Sequence, residues 1–160
     1  MIKTIILASG CFWGTEYYMK KHPAVVKTEP GYIGGKTDNP TYEQVCTGTT
    51  GHAEAVKVDY DTEKGNISDI LKYFFETHIF DQEGGIGPDI GSQYRSEIFY
   101  FDNEQKQTAE KLIQILKNKG YKVTTKLTPA SKFYPAELYH HNYYFHKGST
   151  PYCHFYTKIF

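Results

Sequence analysis

An excess of charge of either sign is missing: eighteen basic and eighteen acidic residues cancel over 160 positions. That removes the electrostatic case for nucleic acid or an anionic membrane as partner. Cysteine is scarce, with residues only at 11, 46 and 153. An odd, widely spaced set excludes the disulfide framework of a small secreted domain and reads as cytoplasmic thiols, with a transient redox pair left open. Long apolar runs are lacking too. Nothing approaches the ~18 residues of a membrane span, and the Ile2–Leu7 run, about six residues, falls short of the ~7–15 of a secretion-signal core. There is no internal repeat and no linker, so the chain reads as one catalytic domain over 1–160. Its core is expected at about 1–127, with a tail at 128–160.

Aromatic rings are plentiful. Tyrosine supplies 15 of them, and an apolar body with a hydroxyl suits the lining of a site as well as a core.

Ile2 to Ala8 reads as a buried strand, and Phe12 to Lys21 as a helix stopped by Pro23. A second strand is expected at Val25–Thr28, running toward Tyr32. Thr41 can cap a short helix through Cys46. His52 to Tyr60 alternates, which puts His52, Glu54, Val56, Val58 and Tyr60 on one face. A helix capped by Ser68 is predicted over Asp69–Phe80. Next come a glycine-rich loop at 84–91, a strand over Ser96–Phe101 and a helix from an Asn103 cap to Lys119. Lys122 to Leu127 reads as the last strand. The order implies an α+β fold: a two-layer sandwich with a ferredoxin-like mixed sheet, helices packed on it and a long irregular C-terminal tail.

Cys11 is the candidate nucleophile. It stands at a strand-to-helix junction, where backbone N–H groups and the helix dipole favour an anion and lower a thiol's pKa. Glu54 is a carboxylate among apolar neighbours, a costly placement unless it stays wet at a strand end or has a use. Several chemistries compete. His52-Ala53-Glu54 matches half of a zinc deaminase signature, but Pro151-Tyr152-Cys153-His154 lacks the second cysteine of the other half. Cysteine hydrolysis would need a base, for which His52, His78 and His140 are available. A third reading uses Cys11, Glu54, Tyr42, Tyr94, Asp89 and Cys153 together. A thiolate attacks a polarised heteroatom, a carboxyl of raised pKa protonates the departing oxygen, and a second thiol condenses with the sulfenic acid. That is reduction of an S=O or O–O bond.

Five blocks carry a resemblance. They are Gly10-Cys11-Phe12-Trp13-Gly14-Thr15-Glu16, Gly31-Tyr32-Ile33-Gly34-Gly35, Asn39-Pro40-Thr41-Tyr42, Gly51-His52-Ala53-Glu54-Ala55-Val56 and Asp89-Ile90-Gly91-Ser92-Gln93-Tyr94-Arg95-Ser96. In this order and spacing the chain resembles the A-type peptide methionine sulfoxide reductases from about Ile2 to Phe145. The resemblance implies that Cys11 attacks the sulfoxide sulfur and that protonated Glu54 serves its oxygen, which Tyr42 and Tyr94 hold. It implies a methyl slot made by Phe12 and Trp13, a substrate-positioning role for Asp89, and Cys153 as the resolver of the sulfenic acid. The substrate implied is the S epimer of methionine sulfoxide, free or in peptides, and thioredoxin is the implied reductant. A monomer with no cofactor and no metal is expected. The chain departs from the family at Thr77-His78-Ile79-Phe80, at Ile86 and at Pro88, which touches the rim of the site. Cys46 is read as a packed bystander. The alternative of another class is a non-enzymatic binder of oxidised or methionine-rich peptides.

Overall fold

The computed structural model describes residues 1–83, 85–87, 89–151 and 154–160. Gly84 and Pro88 of the glycine-rich loop, and Tyr152 and the expected resolver Cys153, lie outside the described residues.

Strand β1 (Ile2–Ser9) leads into helix α1 (Phe12–Lys21), and β2 (Val25–Ile33) returns through the sheet. The short α2 (Tyr42–Cys46) precedes β3 (Ala53–Asp61), which is followed by α3 (Ile67–Glu76). A two-residue hairpin, β4 (Gly85–Ile86) and β5 (Asp89–Ile90), stands in the glycine-rich loop. Then come β6 (Ser96–Tyr100), α4 (Asn103–Asn118) and β7 (Lys126–Pro129). The tail adds β8 (Tyr134–Pro135), a 3-10 turn at Leu138–His140 and α5 (Tyr143–Lys147). This is the expected α+β architecture. The tail, though, is not wholly irregular.

Six strands form one mixed sheet in the order β7-β6-β1-β3-β2-β8. β1 lies between β3 and β6 and is antiparallel to both, while β6 and β7 are parallel. β3 separates β1 from β2, so α1 crosses over one intervening strand and lands on the sheet. Strand alternation sorts the side chains. Ile5, Leu7, Val56, Val58, Tyr60 and Ile98 face α1, α3 and α4 and their buried Phe74, Phe75, Leu112 and Leu116. Ile6, Ala8, Ile33, Ala53, Ala55 and Phe99 make a smaller cluster on the other face, under Ala130 and Phe133. Fully burying a large apolar side chain contributes roughly 1.5–3 kcal/mol.

Boundaries move where a capping residue was misjudged. α3 starts at Ile67 because Asn66 and Asp69 form a reciprocal capping box, each side chain accepting from the other's backbone N–H. α4 is capped by Asp102, whose carboxylate accepts from the Gln105 N–H. β2 runs on to Ile33 through Pro30, which still accepts from the Ala136 N–H, and Gly31 and Tyr32 then pair with β8. The last long strand begins at Lys126, not at Lys122.

Candidate active site

Cys11 caps α1, and its carbonyl accepts from the N–H groups of Gly14 and Thr15 at 3.1 and 3.3 Å. The turn that presents it is tight. Gly10 has a φ of +92°, and any Cβ there would lie 2.9 Å from the Ile86 side chain. One departure from the resembled pattern, Ile86, is therefore a fully buried residue packed on the Cys11 turn. Ser9 and Thr15 brace the same turn with a hydroxyl pair at 2.7 Å.

Glu54 lies on β3 opposite Tyr32 and is fully buried. Its Oε1 accepts from the N–H of Phe12, the residue next to Cys11, at 3.3 Å. Its Oε2 is buried with no hydrogen-bond partner among the described residues. Burial pushes the carboxyl up to about 8, against the Phe12 N–H and with help from the nearby Asp89 charge. At neutral pH it is therefore mostly a protonated acid. Cys11 differs from the sequence expectation. Burial, then the Glu54 and Asp89 charges, raise the thiol well above its ordinary value, while the N–H groups of Trp13 and Gly14 work the other way. The helix start does favour the thiolate, but desolvation between two carboxyl groups outweighs it.

Tyr42 opens α2 and stacks on Trp13 and Phe12 at 6.5 and 6.3 Å between ring centroids. Burial and the Glu54 charge raise its hydroxyl, which also interacts with the Cys46 thiol one turn on. Cys46 is exposed, beside the Tyr42 hydroxyl, and not the packed bystander expected. Tyr94 sits in a short 3-10 turn, and its hydroxyl is raised by burial and then by Glu54, Cys46, Cys11 and Asp89. Asp89 stands in the β4–β5 hairpin opposite Ile86. Cys11, Glu54, Tyr42, Tyr94 and Asp89 therefore gather within electrostatic reach of the same centre, although they come from five separate segments.

Phe12 is fully buried among Tyr32, Tyr42 and His140. Trp13 is half-buried and held by the tail. Its indole N–H donates to His140 Nδ1 at 2.9 Å, and Tyr143 stacks flat on it at 3.7 Å. The fully buried His140 has no partner for Nε2 among the described residues. Glu137 accepts from the Tyr32 hydroxyl at 2.8 Å and from the Tyr42 N–H at 3.0 Å. These tail residues were missed as neighbours of the site. The available signal was a lone tryptophan, which needs a partner for its N–H when buried.

Two histidines of the competing readings, His52 and His78, are occupied elsewhere. His52 accepts from the Gly35 N–H and donates to the Thr37 carbonyl, and His78 bridges the Phe74 carbonyl and Ser96. The described residues contain no group of three or more His, Cys, Asp or Glu arranged to hold a metal. No helix among them is long and apolar enough to cross a membrane.

Comparison with known proteins identifies the family. The family model for peptide methionine sulfoxide reductase matches residues 3–160. The peptide methionine sulfoxide reductase MsrA of Acinetobacter baumannii (strain AYE) is 48% identical over 150 residues, which is 94% of this chain and 87% of that protein. Mxr1 from Saccharomyces cerevisiae in its reduced form superposes with a TM-score of 0.90 at 33% identity, covering 97% of this chain and 92% of the other. A structure of Mxr1 in complex with Trx2 shares the fold, with a TM-score of 0.66 at 23% identity over 97% and 89% of the two chains. Family model, near-half identity and fold converge, and the chain belongs to the A-type peptide methionine sulfoxide reductases, oxidoreductases acting on methionine sulfoxide.

Proposed function

We propose that the chain reduces the S epimer of methionine sulfoxide, free or in oxidised proteins, by oxygen transfer to Cys11. The observation that carries the mechanism is Glu54: a buried carboxyl, tied by one oxygen to the backbone beside the nucleophile, whose other oxygen has no partner among the described residues. At neutral pH it holds the proton that an S–O bond needs in order to break.

In this reading the resting site is neutral, with a thiol at Cys11 and an acid at Glu54. The sulfoxide oxygen takes the place facing Glu54 Oε2, with the Tyr42 and Tyr94 hydroxyls turned to donate to it. Glu54 passes its proton to that oxygen as the Cys11 sulfur bonds to the sulfoxide sulfur. The thiol proton returns to the glutamate, so no free thiolate has to persist in a buried site. The oxygen then passes from the methionine sulfur to the Cys11 sulfur as the S–O bond and the transient sulfur–sulfur bond break, so that Cys11 is left as a sulfenic acid and methionine leaves reduced by two electrons. Phe12 and Trp13 hold the methyl group, and Asp89 positions the substrate. Cys153 then attacks the sulfenic sulfur, water leaves and a Cys11–Cys153 disulfide forms.

The Mxr1–Trx2 complex supports a thioredoxin as the reductant that restores both thiols. The scattered cysteines suit a reducing compartment such as the cytoplasm. We read the whole of 1–160 as one catalytic unit acting as a monomer. Cys11→Ser tests the proposal: turnover of the S epimer must vanish, and persistent turnover would end it.

A further inference from the structure

The tail is pinned again after its α5 helix. His154 is buried, and its Nε2 donates to the Ser9 carbonyl at 2.6 Å. Its ring lies so close to Gly14 that a Cβ at position 14 would stand 2.2 Å from Nδ1. The Tyr18 hydroxyl donates to the His154 carbonyl at 3.2 Å. Farther on, the Thr157 N–H donates to the Glu76 carbonyl, and the N–H groups of Ile159 and Phe160 donate to the Glu76 carboxylate at 2.8 and 3.2 Å. Ser9 and Gly14 bracket the nucleophile, and the Gly14 N–H is one of the two that favour the Cys11 thiolate. Ahead of His154 the chain runs over the surface, with Phe145 to Thr150 all exposed.

We propose that His154 is a positioning residue that fixes the tail on the nucleophile turn and so sets the rate at which Cys153 resolves the Cys11 sulfenic acid. The inference rests on the reading of Cys153 as resolver. Chain entropy supplies the physical reason. Consecutive Cα atoms are held about 3.8 Å apart, so anchoring residue 154 confines residue 153 whatever its own conformation. Without that anchor residue 154 keeps only the single Tyr18 bond to its carbonyl, the next fixed points being Tyr144 on one side and Tyr156 on the other, and the effective concentration of the thiol at Cys11 falls. The pocket is also built for this ring. Glycine is required at 14 to admit it, and the bond to Ser9 satisfies a carbonyl at the end of β1. The step affected is the condensation of Cys11–SOH with the Cys153 thiol to disulfide and water. Oxygen transfer from the substrate precedes it and is unaffected.

The test is a reductant-free single turnover on methionine sulfoxide, with methionine release and loss of free thiol followed separately and dimedone used to trap sulfenic acid. His154→Ala should release one methionine per chain at the parent rate, which also counts the folded fraction. Disulfide formation should slow by about ten-fold or more, and a dimedone adduct should build up on Cys11. His154→Gln, which offers an amide N–H to the Ser9 carbonyl, should recover most of the rate. If His154→Ala closes its disulfide as fast as the parent, or slows methionine release in equal measure, the proposal is overturned. Cys153→Ser separates the two readings. If it accumulates no sulfenic acid, Cys153 is not the resolver and the inference falls with it. If it does while His154→Ala resolves normally, only the positioning role fails.

Discussion

Replacing Glu54 by glutamine should make the protein more stable at alkaline pH while destroying its catalysis. The carboxyl titrates near 4.5 in the unfolded chain and at about 8 in the folded one. Between those values the folded state keeps a proton that the unfolded state has released, so wild-type stability falls as pH rises through the interval and is level above it. Each pH unit is worth about 1.4 kcal/mol, or about 5 kcal/mol over the whole interval as a ceiling. A glutamine at this position does not titrate. Its amide can keep the Phe12 N–H bond, but its NH2 replaces the unpartnered Oε2 and costs about 1–3 kcal/mol at every pH. Urea unfolding from pH 4.5 to 8.5 under reducing conditions should therefore find the variant weaker at the acid end. The curves should cross, with the variant stronger by about 2–4 kcal/mol at the alkaline end. Turnover of methionine sulfoxide should fall by about 10²–10⁴ throughout, the usual loss when a general acid is removed. A stability difference flat to within about 1 kcal/mol across this range would mean that Glu54 carries no proton at neutral pH, and the proposed acid would be lost with it.

Histidine burial acts in the opposite direction. Burial lowers His78 to about 3, so the unfolded chain binds a proton from 6.5 downward that the folded chain refuses; stability is fully present above 6.5 and drains away toward 3. Thermal melts at pH 4 and 7 should show that His78→Gln flattens this acid limb, and an unchanged limb would contradict the buried neutral imidazole. For Glu137, burial pushes the carboxyl up, but hydrogen bonds from the Tyr42 N–H and the Tyr32 hydroxyl outweigh it and hold it low. Glu137→Ala should loosen Tyr42, costing about 1–3 kcal/mol in urea unfolding and lowering kcat more than it raises KM; an unchanged kcat would show that Tyr42 does not need this tether.

Much of this was legible from local chemistry. Ile2–Ala8 read as a strand because most of its residues are apolar or β-branched, and His52–Tyr60 declared its register by alternation. The side of the sheet assigned to Val56, Val58 and Tyr60 is the side that packs on the helices. What escaped depended on contacts distant in sequence. Nothing near Glu137 reveals that its carboxylate will meet Tyr42, 95 residues earlier. His140 is offered by the sequence only as one of several possible bases, and nothing near it reveals that it will accept from Trp13, 127 residues earlier. The expected run of the second strand toward Tyr32 holds through Pro30, where the backbone remains paired on both sides because a proline loses only its donor.

The thiol shows most clearly why local rules fall short. A helix start alone would lower the Cys11 pKa, and that inference from the junction is sound as far as it goes: the Trp13 and Gly14 N–H groups do favour the thiolate. The same turn, however, places Phe12 so that its N–H binds Glu54, which brings a buried carboxyl beside the sulfur. Two ionisable groups in one dry site cannot both be charged without a large penalty, so their titrations are coupled. The neutral pair is the form that holds both protons needed. A permanently ionised Cys11 would hold Glu54 protonated yet leave no thiol proton to recharge it after oxygen transfer. A permanently ionised Glu54 would keep the thiol neutral and have no proton to give. In the proposed reaction, raising both groups leaves acid and nucleophile poised to exchange one proton around the sulfoxide, with the backbone N–H of Phe12 tying the carboxyl to the residue next to Cys11.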